Sequence, residues 1–106
     1  MVRATRKIVW TSFARESRTS IFLYWNKRNK SNIYSKKLNI LFQESLKQLT
    51  FFPESSIKSE NLNIRLKVAS HFEIVYSITH TRIFVLDIWD TRQNPDNSLS
   101  NKHENK

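Results

Sequence analysis

Between residues 34 and 90 the spacing of apolar side chains changes period, and that change decides what the chain can fold into. Tyr34, Leu38, Leu41, Phe42, Ser45, Leu46 and Leu49 keep i, i+4, i+7 and i+8 spacing, the stripe of an amphipathic helix. Past Phe51-Phe-Pro-Glu54 the period falls to two. Leu62, Ile64, Leu66 and Val68 alternate with Asn63, Arg65, Lys67 and Ala69, and Phe72, Ile74, Tyr76 and Ile78 alternate with Glu73, Val75, Ser77 and Thr79. A third strand is expected over Arg82 to Asp90, with Phe84, Leu86 and Ile88 on one face and Ile83, Val85, Asp87 and Trp89 on the other. The links Ala69-Ser-His71 and Thr79-His-Thr81 are short enough for an antiparallel meander.

The earlier residues supply the remaining elements. Lys7-Ile-Val-Trp-Thr11 is β-branched and aromatic, which suits a short opening strand. Thr11 and Ser12 offer an N-cap for a helix from Phe13 to about Arg28, on which Ala14, Ile21, Tyr24 and Trp25 share a face that Arg18 interrupts. Ser31 is the candidate cap of the second helix, and Pro53 ends it. The order β-α-α-β-β-β gives an α+β fold, with a helical hairpin packed on one face of a curved antiparallel sheet. Residues 1–93 form this domain. The stretch 94–106, poor in apolar residues, reads as a disordered C-terminal tail, and no internal repeat is visible.

Composition narrows the function classes. A chain of 106 residues suffices for one core. Without glycine there is no Gly-rich phosphate loop, and without cysteine no disulfide framework, thiolate zinc site or cysteine nucleophile. No cofactor is expected. The longest apolar run is Ile21 to Trp25, far short of the roughly 18 residues of a membrane span. The basic start, Met1 to Lys7, has no hydrophobic region after it, so the expected location is the cytoplasm. Residues 1–60 hold 12 basic and 4 acidic side chains, against 6 and 5 in residues 61–106, so the front half carries most of the net +9 and attracts polyanions.

If the apolar sides of the strands turn toward the helices, Arg65, Lys67, Glu73, Asp87 and Trp89 share the open face. Arg65 and Lys67 suit phosphate contact, and solubilising charge accounts for them as well. Glu73 reads as a cross-strand ion-pair partner of Lys67 or Arg65 before a general base. His71, His80 and His103 fall at turns or in the tail without metal-ligand spacing, so no metal site is expected. Tyr76, in step with Ile74 and Ile78, belongs to the core. Trp89 is either a partner surface or covered by a neighbouring loop. Asp90 and Arg92, two residues apart at a strand end, are expected to pair. Lys27, Lys30, Lys36 and Lys37 can follow a nucleic-acid backbone, and a solvated helix face also explains them.

Val9-Trp10-Thr11 with Ala14, the long second helix ending in Phe52-Pro53, the Leu66 to Tyr76 hairpin, and Arg82 to Pro95 with its Asp-Thr-Arg-Gln-Asn-Pro ending together resemble the RelE/ParE superfamily of bacterial type II toxins over residues 7 to about 95. The resemblance implies a toxin wrapped and silenced by a cognate acidic antitoxin in a hetero-oligomer. RelE-like members cut mRNA on the translating ribosome; ParE-like members poison DNA gyrase and need no hydrolytic constellation. RelE-like enzymes generally carry an arginine where this chain has Glu73, and a carboxylate there repels a scissile phosphate. The resemblance therefore favours a ParE-like growth inhibitor acting on gyrase, with a RelE-like ribosome-dependent endonuclease or a generic basic nucleic-acid-binding domain as the alternatives. Arg65, Lys67 and Arg92 are the target- or phosphate-binding candidates, with Glu73, Asp90 and Trp89 in support.

Overall fold

The structure, a computed structural model, describes residues 6–52, 57–58 and 63–92. Pro53, Leu62 and the stretch from residue 93 onward, His103 included, lie outside the described residues. Strand β1 (Lys7–Trp10) leads into helices α1 (Ser12–Asn29) and α2 (Ile33–Phe51), followed by β2 (Ile57–Lys58), β3 (Ile64–Ala69), β4 (Phe72–Ile78) and β5 (Arg82–Asp90). The expected β-α-α-β-β-β order is present, with the two-residue β2 added inside what reads in the sequence as a polar loop. The sheet order is β1-β5-β4-β3-β2. The meander β3-β4-β5 is antiparallel, but β1 pairs with β5 in parallel, Lys7 opposite Arg82 and Trp10 opposite Val85, so the sheet is mixed. The intervening elements provide the long connection that parallel pairing requires.

Thr11 makes the turn from β1 into α1. Its backbone N–H donates to the Val85 carbonyl at 3.1 Å and its hydroxyl donates to the same oxygen at 2.9 Å, while Oγ1 accepts from the Ala14 N–H at 3.1 Å. One residue thus closes the strand and caps the helix. Because the chain has no glycine, residues with ordinary side chains take the left-handed backbone that tight reversals need. Lys30 ends α1 at φ 53°, its N–H donating to the Asn26 carbonyl, and Ser70 turns the β3-β4 hairpin at φ 59°. Asn32 rather than Ser31 is the α2 N-cap. Ser31 still contributes, its hydroxyl accepting from the Ile33 N–H at 3.2 Å.

The helices cover one face of the sheet. Ala14 and Ile21 of α1 and Leu38, Phe42, Leu46 and Leu49 of α2 bury against Ala69, Phe72, Ile74, Tyr76, Ile83, Val85 and Ile88. Phe42 meets Phe72 edge-on at 5.1 Å and stacks on Phe22 at 6.1 Å. Ser35, buried between the helices, shares its one hydroxyl proton between the Phe22 carbonyl at 3.0 Å and Asn26 Oδ1 at 2.6 Å, which fixes their relative height. Arg18, which breaks the apolar face of α1, lies over the Trp10 ring at 4.3 Å. Partial burial, aided by nearby Arg15, lowers its pKa.

The faces of β3 and β5 differ from their sequence reading. Residues opposite one another in a register share a face, and Arg65, Lys67 and Ala69 lie opposite Tyr76, Ile74 and Phe72. The helix-covered face of β3 therefore carries its two cations. Leu66 faces the other way opposite Val75, and Val68 is exposed. In β5 a bulge opposite Val75/Tyr76 inserts one residue, so Ile83 and Val85 share the core with Ile88 and Asp90 although their parity differs.

Candidate functional site

The last strand ends beside the helices in a cluster built on Asp90. Its side chain is fully buried, and a carboxylate so placed is costly unless each oxygen is met by donors. Trp25 of α1 donates its indole N–H to Oδ2 at 3.1 Å. The Arg92 backbone N–H donates to Oδ1 at 2.9 Å, and its guanidinium reaches Oδ1 through Nε and Oδ2 through Nη2, both at 3.3 Å. The same Nη2 donates to the Tyr34 hydroxyl of α2 at 2.9 Å. Above this network the guanidinium carbon sits 5.0 Å from the Trp25 ring centre and 5.7 Å from that of Phe72, and Trp25 meets Tyr34 edge-on at 5.1 Å. Burial works against the Arg92 charge, but hydrogen bonds to Tyr34 and Asp90 and the attraction of Asp90 prevail, so its pKa is raised.

Asp90 and Arg92 thus pair as the sequence spacing suggests. Arg92 nevertheless lies in the turn beyond the strand and not on its continuation. The partners Trp25 and Tyr34 were legible only as apolar positions on their helices. Next to the cluster, Thr91 donates both its N–H and its hydroxyl to the His71 carbonyl at 2.9 Å, tying the β3-β4 turn to the end of β5. His71 itself is exposed, as is His80 in the next turn, and among the described residues no group of three or more His, Asp or Glu is placed to hold a metal ion.

The other candidates separate. Lys67 turns toward α2, where its Nζ donates to Gln48 Oε1 at 3.3 Å, and Arg65 lies on that face two residues along β3. Gln48 is fourteen residues along α2 from Tyr34, about 21 Å of helix rise. Arg92 and Lys67 therefore stand at opposite ends of that helix and cannot grip one phosphate together. Asp87, expected on the open face, sits at the bulge and accepts from the Ser17 hydroxyl of α1 at 2.7 Å and from the Ile88 N–H at 2.8 Å. Of the five residues expected on the open face, Glu73 and Trp89 remain there. They oppose one another across β4 and β5, and the Trp89 indole N–H donates to Glu73 Oε1. Tyr76 is wholly buried in the core.

Among the described residues no helix is long and apolar enough to cross a membrane. No protein-family model and no curated protein matches the sequence. Among solved structures, a chain described as "Chromosomal ParDE TA system from P. aeruginosa" is similar, with a TM-score of 0.69 and 17% sequence identity, over 81% of this chain and 96% of that one. At 17% identity the likeness is one of architecture: this chain shares its fold with that chain.

Proposed function

We propose that this chain, with its RelE/ParE-type fold, is the toxin of a type II toxin-antitoxin pair, silenced by a cognate acidic antitoxin, and that its target is DNA gyrase. The observation that carries the toxin reading is the likeness to a ParDE structure over nearly the whole of that chain, joined to a net charge of +9 that favours fast association with an anionic partner.

The choice of gyrase is supported by what surrounds the candidate residues. Cleavage of RNA needs cations converging on one phosphate and a group placed to move a proton. Here Arg65 and Lys67 line the helix-covered face, Arg92 is engaged about 21 Å away along α2, and Glu73 accepts from an indole. Such a surface suits binding better than hydrolysis. Arg92, held on one side by Asp90 and 38% exposed on the other, is the best-placed cation for a partner carboxylate.

Expression of the chain alone tests both levels. Growth arrest that is relieved by co-expression of an adjacent acidic open reading frame supports the toxin reading, and full growth at confirmed soluble expression removes it. Loss of supercoiling by purified gyrase supports the target, whereas codon-phased cuts in transcripts would assign the RelE-like reaction.

A further inference from the structure

The tip of the helical hairpin carries charge that the fold uses only in part, Arg28 lying 5.9 Å from the Trp25 ring centre. Lys27 and Arg28 close α1, Lys30 is its left-handed cap, and Lys36 and Lys37 follow in the opening turns of α2; all five are exposed. No acidic residue occurs between Glu16 and Glu44, and among the described residues none of the five pairs with a carboxylate. The contact of Asn26 with Ser35 sets the two helices level, so all five charges lie within about 8 Å of the tip along the helix axes.

Helix stability explains only part of this arrangement. Cations at the end of α1 complement its dipole, but Lys36 and Lys37 sit at the positive end of α2, which has no acidic residue in its first turn. Five like charges crowded there repel one another, and an anionic ligand relieves that repulsion.

We infer that the hairpin tip is a binding surface for the phosphate backbone of nucleic acid, contacted without base specificity. The buried centre of a stable protein interface is usually apolar. Within residues 27–37 the tip exposes Ile33 as its one large apolar side chain, and the rest of its exposed surface is Lys, Arg and Asn. Backbone contact needs only cations and small polar groups, and Asn29 and Asn32 supply the latter. The inference is independent of the toxin reading, because binding is measured on the purified chain with neither antitoxin nor gyrase present.

The experiment is a salt titration of binding to a fluorescent 20-base-pair DNA duplex of arbitrary sequence. The tip variant carries Lys27→Gln, Lys30→Gln, Lys36→Gln and Lys37→Gln. The control variant removes four exposed cations elsewhere, with Lys7→Gln, Arg15→Gln, Lys47→Gln and Arg82→Gln. The tip variant is expected to bind at least tenfold more weakly, with a log–log salt slope shallower by about 3 to 4, since each lost phosphate contact removes roughly 0.9. The control slope should change by fewer than one such step. Should the quadruple variant unfold, the Lys36→Gln, Lys37→Gln pair removes the two charges opposed to the helix dipole and should flatten the slope by about 2. Failure of the unmodified chain to bind duplex, equal weakening in tip and control variants, or loss of polyglutamate binding with duplex binding intact would each overturn the inference.

Discussion

Trp25 of α1 donates its indole N–H to Oδ2 of Asp90, the buried last residue of β5, at 3.1 Å. Together with Arg92 on the other side of the carboxylate, this bond fastens the end of the meander to the helical hairpin. The fastening follows from the cost of burying a charge, which obliges Asp90 to collect donors from both layers.

Removing one donor should therefore be felt. Trp25→Phe keeps a ring beneath Arg92 but leaves Oδ2 short of a partner, and a loss of about 1–3 kcal/mol is expected in urea denaturation. Arg92→Gln should cost at least as much, about 2–4 kcal/mol, because it removes two side-chain bonds and the paired charge from buried Asp90, although the Arg92 backbone N–H and the Trp25 indole still meet it. Equal, negligible losses in both would show that the cluster does not hold the fold.

The architecture was readable because α2 and the meander each bury one clean face, so the period of their apolar residues survives in the sequence. The faces of β3 and β5 were not readable for different reasons. Leu66 and Val75 form a second apolar pair on the side away from the helices, so both faces of β3 look buried and parity loses its meaning. In β5 the bulge advances the phase by one residue, and nothing in Val85-Leu-Asp-Ile88 signals where. Of the candidate site, the Asp90 and Arg92 pair was legible because it is local in sequence. Trp25, 65 residues from Asp90, was not.

The absence of glycine leaves a stabilising substitution open. Lys30 holds φ at 53° in the C-cap of α1, where a Cβ is unfavourable. Lys30→Gly should raise stability by about 1 kcal/mol, seen as a higher melting temperature, because the relief of backbone strain exceeds the added freedom of the unfolded chain. A lower melting temperature would mean that the lysine side chain holds the cap more firmly than its backbone strains it.

Thr11 joins two layers through one hydroxyl, so its replacement should exceed the cost of an ordinary cap. Thr11→Val retains shape and β-branching but loses the bonds to Ala14 N and the Val85 carbonyl. A loss of about 2 kcal/mol is expected, at the upper end for an N-cap. Thr11→Ser, which restores the hydroxyl, should recover most of it; if it does not, the methyl group and not the hydrogen bonds carries the effect.

Glu73 separates the two readings of the open face. As the acceptor for the Trp89 indole it needs an oxygen and not a charge, so Glu73→Gln should keep stability within about 0.5 kcal/mol and leave growth inhibition intact. Glu73→Arg removes the acceptor and sets a cation where, by the sequence resemblance, RelE-like enzymes carry one. A loss of about 1 kcal/mol should follow, without codon-phased cuts in transcripts, because Arg65 and Lys67 lie on the opposite face of the sheet and cannot complete a catalytic group around it. A general base behaves differently: if Glu73 served as one, the glutamine variant would abolish growth inhibition while its melting curve stayed unchanged. Measuring growth and melting on the same pair of variants distinguishes the two roles.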